Sequence, residues 1–131
     1  MGTKTTFKFG ARQRIYAGGK PLTAPDGDAH PLAVDWDGDG VLDLLVGCGD
    51  GSVLFCKGVR SSASGPPTLQ APVPLMAAGK PIKVGGRAKL CVCDWNNDGQ
   101  LDLLIGDFEY KDSKDNKSRY IGNVHVFLRQ P

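Results

Sequence analysis

"PLAVDWDGDGVLDLLVG", residues 31–47, sets four aspartates between two apolar runs. Asp35, Asp37, Asp39 and Asp43 fall at positions 1, 3, 5 and 9 of one short loop. Two unit charges about 4 Å apart repel by ~4 kcal/mol at the effective dielectric of a protein surface. A chain that gathers four of them in one loop calls for a cation in their midst. Oxygen ligands at alternating positions, with Gly40 at position 6 for a sharp turn, suit the hard ion Ca²⁺.

The motif returns. "VDWDGDGVLDLLVG" at 34–47 is echoed by "CDWNNDGQLDLLIG" at 93–106, and "GKPL" at 19–22 by "GKPI" at 79–82. "DGSVLFCKG" at 50–58 has a weaker partner in "IGNVHVFLR" at 121–129. The period is about 60 residues, so the chain holds two copies. The second copy carries an extra segment within 107–120.

Each copy reads as short strands. "PLAV" is an apolar run, the acidic loop follows, and "LDLLVG" is apolar on both faces. "DG" at 50–51 is a hairpin turn signal leading into "SVLFC". "TLQAPVPLM" alternates, and its prolines mark an edge strand. These make four strands, a to d, per unit. The second copy has no strand d after "NVHVFLRQP", while "TFKFGARQRIYAGG" near the start aligns with "PTLQAPVPLMAAG". The expected order is therefore d-abcd-abc, with residues 1–18 supplying a latching strand d over 5–17, residues 19–78 the first unit and 79–131 the second.

These motifs resemble FG-GAP/VCBS repeats, the blades of integrin-type β-propellers, over nearly the whole chain. The resemblance implies an all-β fold of two four-stranded blades, with Ca²⁺ held by the loop between strands a and b. Carried over by position, the first site is Asp35, Asp37, Asp39, the Val41 carbonyl and Asp43. The second is Asp94, Asn96, Asp98, the Gln100 carbonyl and Asp102. Asn96 departs from aspartate and lowers the site's charge, so the second of the two ions is expected to bind more weakly. An EF-hand begins with the same spacing but requires Glu at position 12, where this chain has Val46 and Ile105.

A blade has two apolar faces, and each needs a neighbour. Propellers close with four to eight blades. Two-blade chains are thus expected to form a homo-oligomer, a six-bladed trimer ahead of an eight-bladed tetramer, with strand d at 5–17 crossing to a neighbouring chain.

Composition narrows the function. A net charge of +2 without a dense basic run gives no reason to expect nucleic acid. No apolar stretch approaches the length of a membrane helix, and "MGTKTTFKFG" lacks a signal-peptide core. Cys48, Cys56, Cys91 and Cys93 show no zinc spacing and read as buried free thiols. His30 and His125 have no paired nucleophile motif, so no enzyme is expected. Phe108, Tyr110 and Tyr120, in a charged insertion read as a solvated loop, are candidate contacts for a glycan or protein ligand. Trp36 and Trp95 read first as packing between blades and second as sugar-stacking rings. The expected role is a calcium-stabilised module for extracellular or cell-surface recognition and adhesion. The alternatives are a carbohydrate-binding lectin, or a piece of a larger propeller or polysaccharide-active surface protein.

Overall fold

The computed structural model describes residues 2, 6–112, 114 and 119–131. Thr5 of the expected leading strand, and Asp115 and Lys117 of the expected insertion, lie outside the described residues. The described chain is all-β, without a helix, and none is therefore long and apolar enough to cross a membrane. In chain order the strands are β1 (Tyr16–Ala17), β2 (Lys20–Pro21), β3 (Ala29–Val34), β4 (Asp43–Cys48), β5 (Val53–Cys56), β6 (Gly58–Val59) and β7 (Thr68–Leu69). There follow β8 (Val73–Pro74), β9 (Met76–Ala77), β10 (Lys80–Pro81), β11 (Gly86–Cys93), β12 (Asp102–Lys111) and β13 (Arg119–Phe127).

Two larger sheets carry the repeat. The first runs β3-β4-β5-β8 and is antiparallel throughout, the a-b-c-d order that the first copy implied. The second runs β11-β12-β13, with no fourth strand among the described residues. Equivalent strands pair in equivalent register: Leu44 lies opposite Cys56, and Leu103 opposite Phe127. The central strand β4 is buried along its whole length, which explains why its sequence is apolar on both faces.

The run "TLQAPVPLM" does not form one strand. It divides into β7, β8 and β9, which join three different sheets, because Pro72 and Pro74 have no N–H to give a continuous ladder. Residues 6–15 form no strand within the chain, and only Tyr16–Ala17 pairs, with Lys20–Pro21 and with Leu69. The two "GKP" segments form matching hairpins. Tyr16 faces Pro21 as Met76 faces Pro81, and both turns place two residues at positive φ.

The segment read as a solvated loop mostly extends the ladder. Residues 107–111 and 119–123 pair one to one, from Asp107 opposite Asn123 to Lys111 opposite Arg119. Alternation explains it: Phe108 and Tyr110 share one face, and Asp107 and Glu109 the other.

The sheets stack. β11 lies across β3 and β4, and Leu45 and Val53 of the first sheet meet Ala88, Leu90, Leu103 and Ile105 of the second, with Ile82 between. On its other face the first sheet presents Leu44, Val46, Cys48 and Cys56 to Ala17, Leu22 and Ala24.

Candidate metal centre

Both acidic loops join the first two strands of a sheet, β3 to β4 and β11 to β12, so the repeat places them at the same end of each. The turns need left-handed backbone at two points. Gly38 and Gly40 adopt φ of 79° and 85° in the first loop, and Asn97 and Gly99 adopt 60° and 86° in the second. Asn tolerates that conformation better than other side-chain-bearing residues, so "WNNDG" folds as "WDGDG" does.

The first residue of each loop organises it. Asp35 accepts from Gly38 N–H at 3.0 Å and Gly40 N–H at 2.9 Å. Asp94 accepts from Asp98 N–H at 3.0 Å and Gly99 N–H at 2.8 Å. Val41 N–H donates to Asp39, and Gln100 N–H to Asp98, both at 2.9 Å. Carboxylate oxygens of Asp35, Asp37 and Asp39 all lie within 4.8 Å of one another, as do those of Asp94, Asp98 and Asp102. Asn96 donates to Asp98 at 3.0 Å through its amide nitrogen.

Asp43 and Asp102, the ninth residues, are buried and act as braces. Asp43 accepts from Trp36 N–H at 2.9 Å, Asp37 N–H at 3.3 Å and Gly58 N–H at 2.7 Å. Asp102 accepts from Trp95 N–H at 2.9 Å and Arg129 N–H at 2.8 Å. The Arg129 and Trp95 amides hold the Asp102 carboxyl below the usual carboxylate range, against the opposing effect of burial. Asp102 falls within the second cluster of oxygens, whereas Asp43 stands outside the first.

The first loop also holds a cation of the chain's own. Lys57 Nζ bridges Asp37 and Asp39, 2.8 Å from Asp39 Oδ2. Hydrogen bonds to Asp37 and Asp39 raise the ammonium's pKa above its ordinary range, and the bond from Lys57 lowers that of Asp39. Leu128 stands at the corresponding place beside the second loop. The sequence offered no local signal for Lys57, which arrives across the β4–β5 hairpin.

The two tryptophans differ. Trp36 packs against the core between the sheets, with the Arg129 guanidinium 4.0 Å from its ring centre, whereas Trp95 is 62% exposed. Phe108 and Tyr120 stack with centroids 4.8 Å apart, and Tyr110 tilts against Tyr120 at 5.5 Å.

A second polar cluster escaped the sequence reading. The Asp107 side chain is 4% exposed and accepts from Gly85 N–H at 2.8 Å, Asn123 N–H at 3.1 Å and Asn123 Nδ2 at 3.0 Å. His125, on β13, places its Nε2 2.9 Å from Asp107 Oδ2, the oxygen that Gly85 N–H also meets, while both Asn123 donors reach Oδ1. The signal was the spacing of Asn123 and His125 on one face of β13, which becomes meaningful only with the register opposite Asp107. Of the cysteines, Cys48 and Cys56 are buried, Cys93 is partly covered and Cys91 is exposed, so burial holds for only half of the expected set.

No protein-family model, curated protein or solved structure matches the chain.

Proposed function

We propose that the chain is a pair of β-propeller blades of FG-GAP/VCBS type that binds two Ca²⁺ ions structurally and serves extracellular recognition or adhesion without catalysis. One observation carries this reading: each acidic loop, at the same position of the repeat, gathers three carboxylates with ligand oxygens within 4.8 Å of one another. Oxygen-only donor sets favour Ca²⁺ over softer ions. Asp35, Asp37 and Asp39 would hold the first ion, Asp94, Asp98 and Asp102 the second, with Asn96 and the Val41 and Gln100 carbonyls as further oxygens. Calcium supplies countercharge to both loops, of which the first already holds the Lys57 ammonium.

Titration calorimetry with Ca²⁺ and Mg²⁺ on the whole chain tests the reading. Two calcium sites are expected, one lost in Asp35→Asn/Asp39→Asn and the other in Asp94→Asn/Asp98→Asn. Absence of calcium heat in the unmutated chain overturns it. The exposed rings of Tyr110 and Tyr120 favour a glycan as the recognised ligand. Glycan-array binding lost in a Tyr110→Ala/Tyr120→Ala variant tests that second reading.

A further inference from the structure

One face of the second sheet is bare where the matching face of the first is covered. Val53 of the first sheet is 1% exposed, and Val124, which stands in the same place one repeat later, is 79% exposed. Leu45 is fully buried, while its counterpart Leu104 is only partly covered; Trp36 is packed, and Trp95 is not. The difference has one cause. β11 of the second sheet lies on the first, and among the described residues no strand packs in the same way on the second, where the Arg87 side chain covers only Phe108.

The surface that does the covering also occurs twice. On the second sheet it is formed by Ala88, Leu90, Leu103 and Ile105 together with Ile82. Their counterparts on the first sheet are Ala29, Pro31, Leu44 and Val46 with Leu22, and these line an open groove of about 690 Å³. Ala29 and Pro31 are exposed there, whereas Ala88 and Leu90 are buried. The chain therefore displays both halves of an interface that it also shows assembled.

Gly106 supplies an independent mark. A Cβ at its counterpart, Gly47, would overlap the Ala88 carbonyl oxygen, so close sheet packing requires glycine there. A Cβ at Gly106 would meet nothing within 4 Å in the chain. Glycine in a strand often marks the close approach of another backbone. The residue that stands where Ala88 stands, one repeat earlier, is Ala29.

The polar seam changes in a matched way. Between the sheets, Leu90 N–H donates to His30 Nδ1 at 3.1 Å. Pro31 replaces Leu90 and has no N–H, and Lys89 replaces His30, so donor and acceptor disappear together. A latch is present as well. Segment 15–22 has the hairpin of 75–82, down to the Leu22 N–H to Ile15 carbonyl bond at 2.9 Å that matches Ile82 to Leu75. Just before the latter, Val73 and Pro74 pair with β5, and Leu75 N–H donates to Val53 at 2.9 Å. Gln13, Arg14 and Ile15 hold the same places before the former.

We propose that the open face of the second sheet docks head to tail onto the first-sheet groove of a second copy of this chain, with that copy's Ala29 seated on Gly106. Val124 and Leu104 enter the groove between the second copy's Leu22, Pro31 and Val46. The second copy's Gln13–Ile15 adds to the free edge of β13. Such contacts join unlike surfaces, so they propagate into a ring or a chain of copies rather than stopping at a symmetric pair.

Light scattering on the 131-residue chain across a concentration series tests this, in calcium and in chelator, so that loops without metal leave the mass readout intact. The unmutated chain is expected to exceed the 13.9 kDa of one copy. Gly106→Val and Val124→Asp alter the open face, and Ala29→Arg alters the groove; each should reduce the mass to one copy with an unchanged β circular-dichroism spectrum. Mixing Val124→Asp with Ala29→Arg leaves one intact interface and should give a one-to-one dimer. An unmutated chain that stays a single copy, variants that keep the full mass, or a mixture that fails to pair would each overturn the proposal.

Discussion

Lys57 Nζ lies 2.8 Å from Asp39 Oδ2 and reaches Asp37 as well, which places an ammonium where the first loop's charge is densest. With Lys57 counted, four carboxylates less one ammonium leave the first loop the same formal charge as the three carboxylates of the second. The substitution of Asn96 for aspartate therefore no longer argues that the second site is the weaker one. Metal entering the first loop must displace Lys57 from two of its oxygens. Lys57→Met is expected to tighten calcium at that loop by about threefold, the range of an exposed ion pair, and to leave the second loop unchanged. Calorimetric titration of the variant measures both.

The ninth aspartate of the first loop has a role that needs no ion. Asp43 is buried and satisfies three backbone N–H groups, so truncation strands them. Asp43→Ala should cost about 2–3 kcal/mol in urea unfolding, in chelator and calcium alike. Asp39→Ala, which loses only the exposed contacts to Lys57 and Val41 N–H, should reduce stability much more in calcium than in chelator.

Calcium itself should act through linkage. Ion at 100 times its dissociation constant adds ~2.7 kcal/mol per site. The melting temperature is then expected to fall in chelator and to recover with Ca²⁺, and the Asp35→Asn/Asp39→Asn variant should recover only part of the shift.

The first sheet was legible because its signals agree: an apolar β4, a DG turn and a proline-marked edge leave one pairing order. The acidic loops were legible from spacing alone, since Asp35 and Asp94 each satisfy the turns that follow them. What sequence could not supply was partnership across distance. The alternating residues Phe7, Phe9 and Ile15 fit a sheet edge, but alternation does not say which edge, and residues 6–15 form no strand among the described residues. Charged residues at 107, 109 and 111 obscured the period-2 alternation of Phe108 and Tyr110. Lys57 and Asp39 meet only because the β4–β5 hairpin returns to the loop.

Burial divides the four thiols. Cys48 and Cys56 lie in the core beneath the first sheet, and desolvation pushes both thiols above their ordinary range. Only the thiolate reacts readily. Under native conditions Cys91 should react with an aromatic disulfide reagent first, and Cys48 and Cys56 only on unfolding. Mass spectrometry of the labelled chain after brief exposure resolves the order.

Asp107 gives the fold an acid limit of its own. Burial alone would raise its carboxyl, but hydrogen bonds from His125, Gly85 and Asn123 outweigh that effect and bring it from the ordinary 3.8 down to about 2. A carboxyl depressed in the folded state contributes stability that is fully present above the unfolded value and is lost as pH falls through the folded one. Asp107 should therefore hold the Gly85 turn and the β12–β13 ladder down to about pH 4 and release them progressively towards pH 2. Asp107→Asn removes the titrating group while keeping the side chain's size and one acceptor oxygen. The variant should be less stable at pH 7 and should lose less stability than the unmutated chain between pH 4 and pH 2. Urea midpoints across that interval provide the measurement, and parallel curves for the two proteins would contradict the assignment.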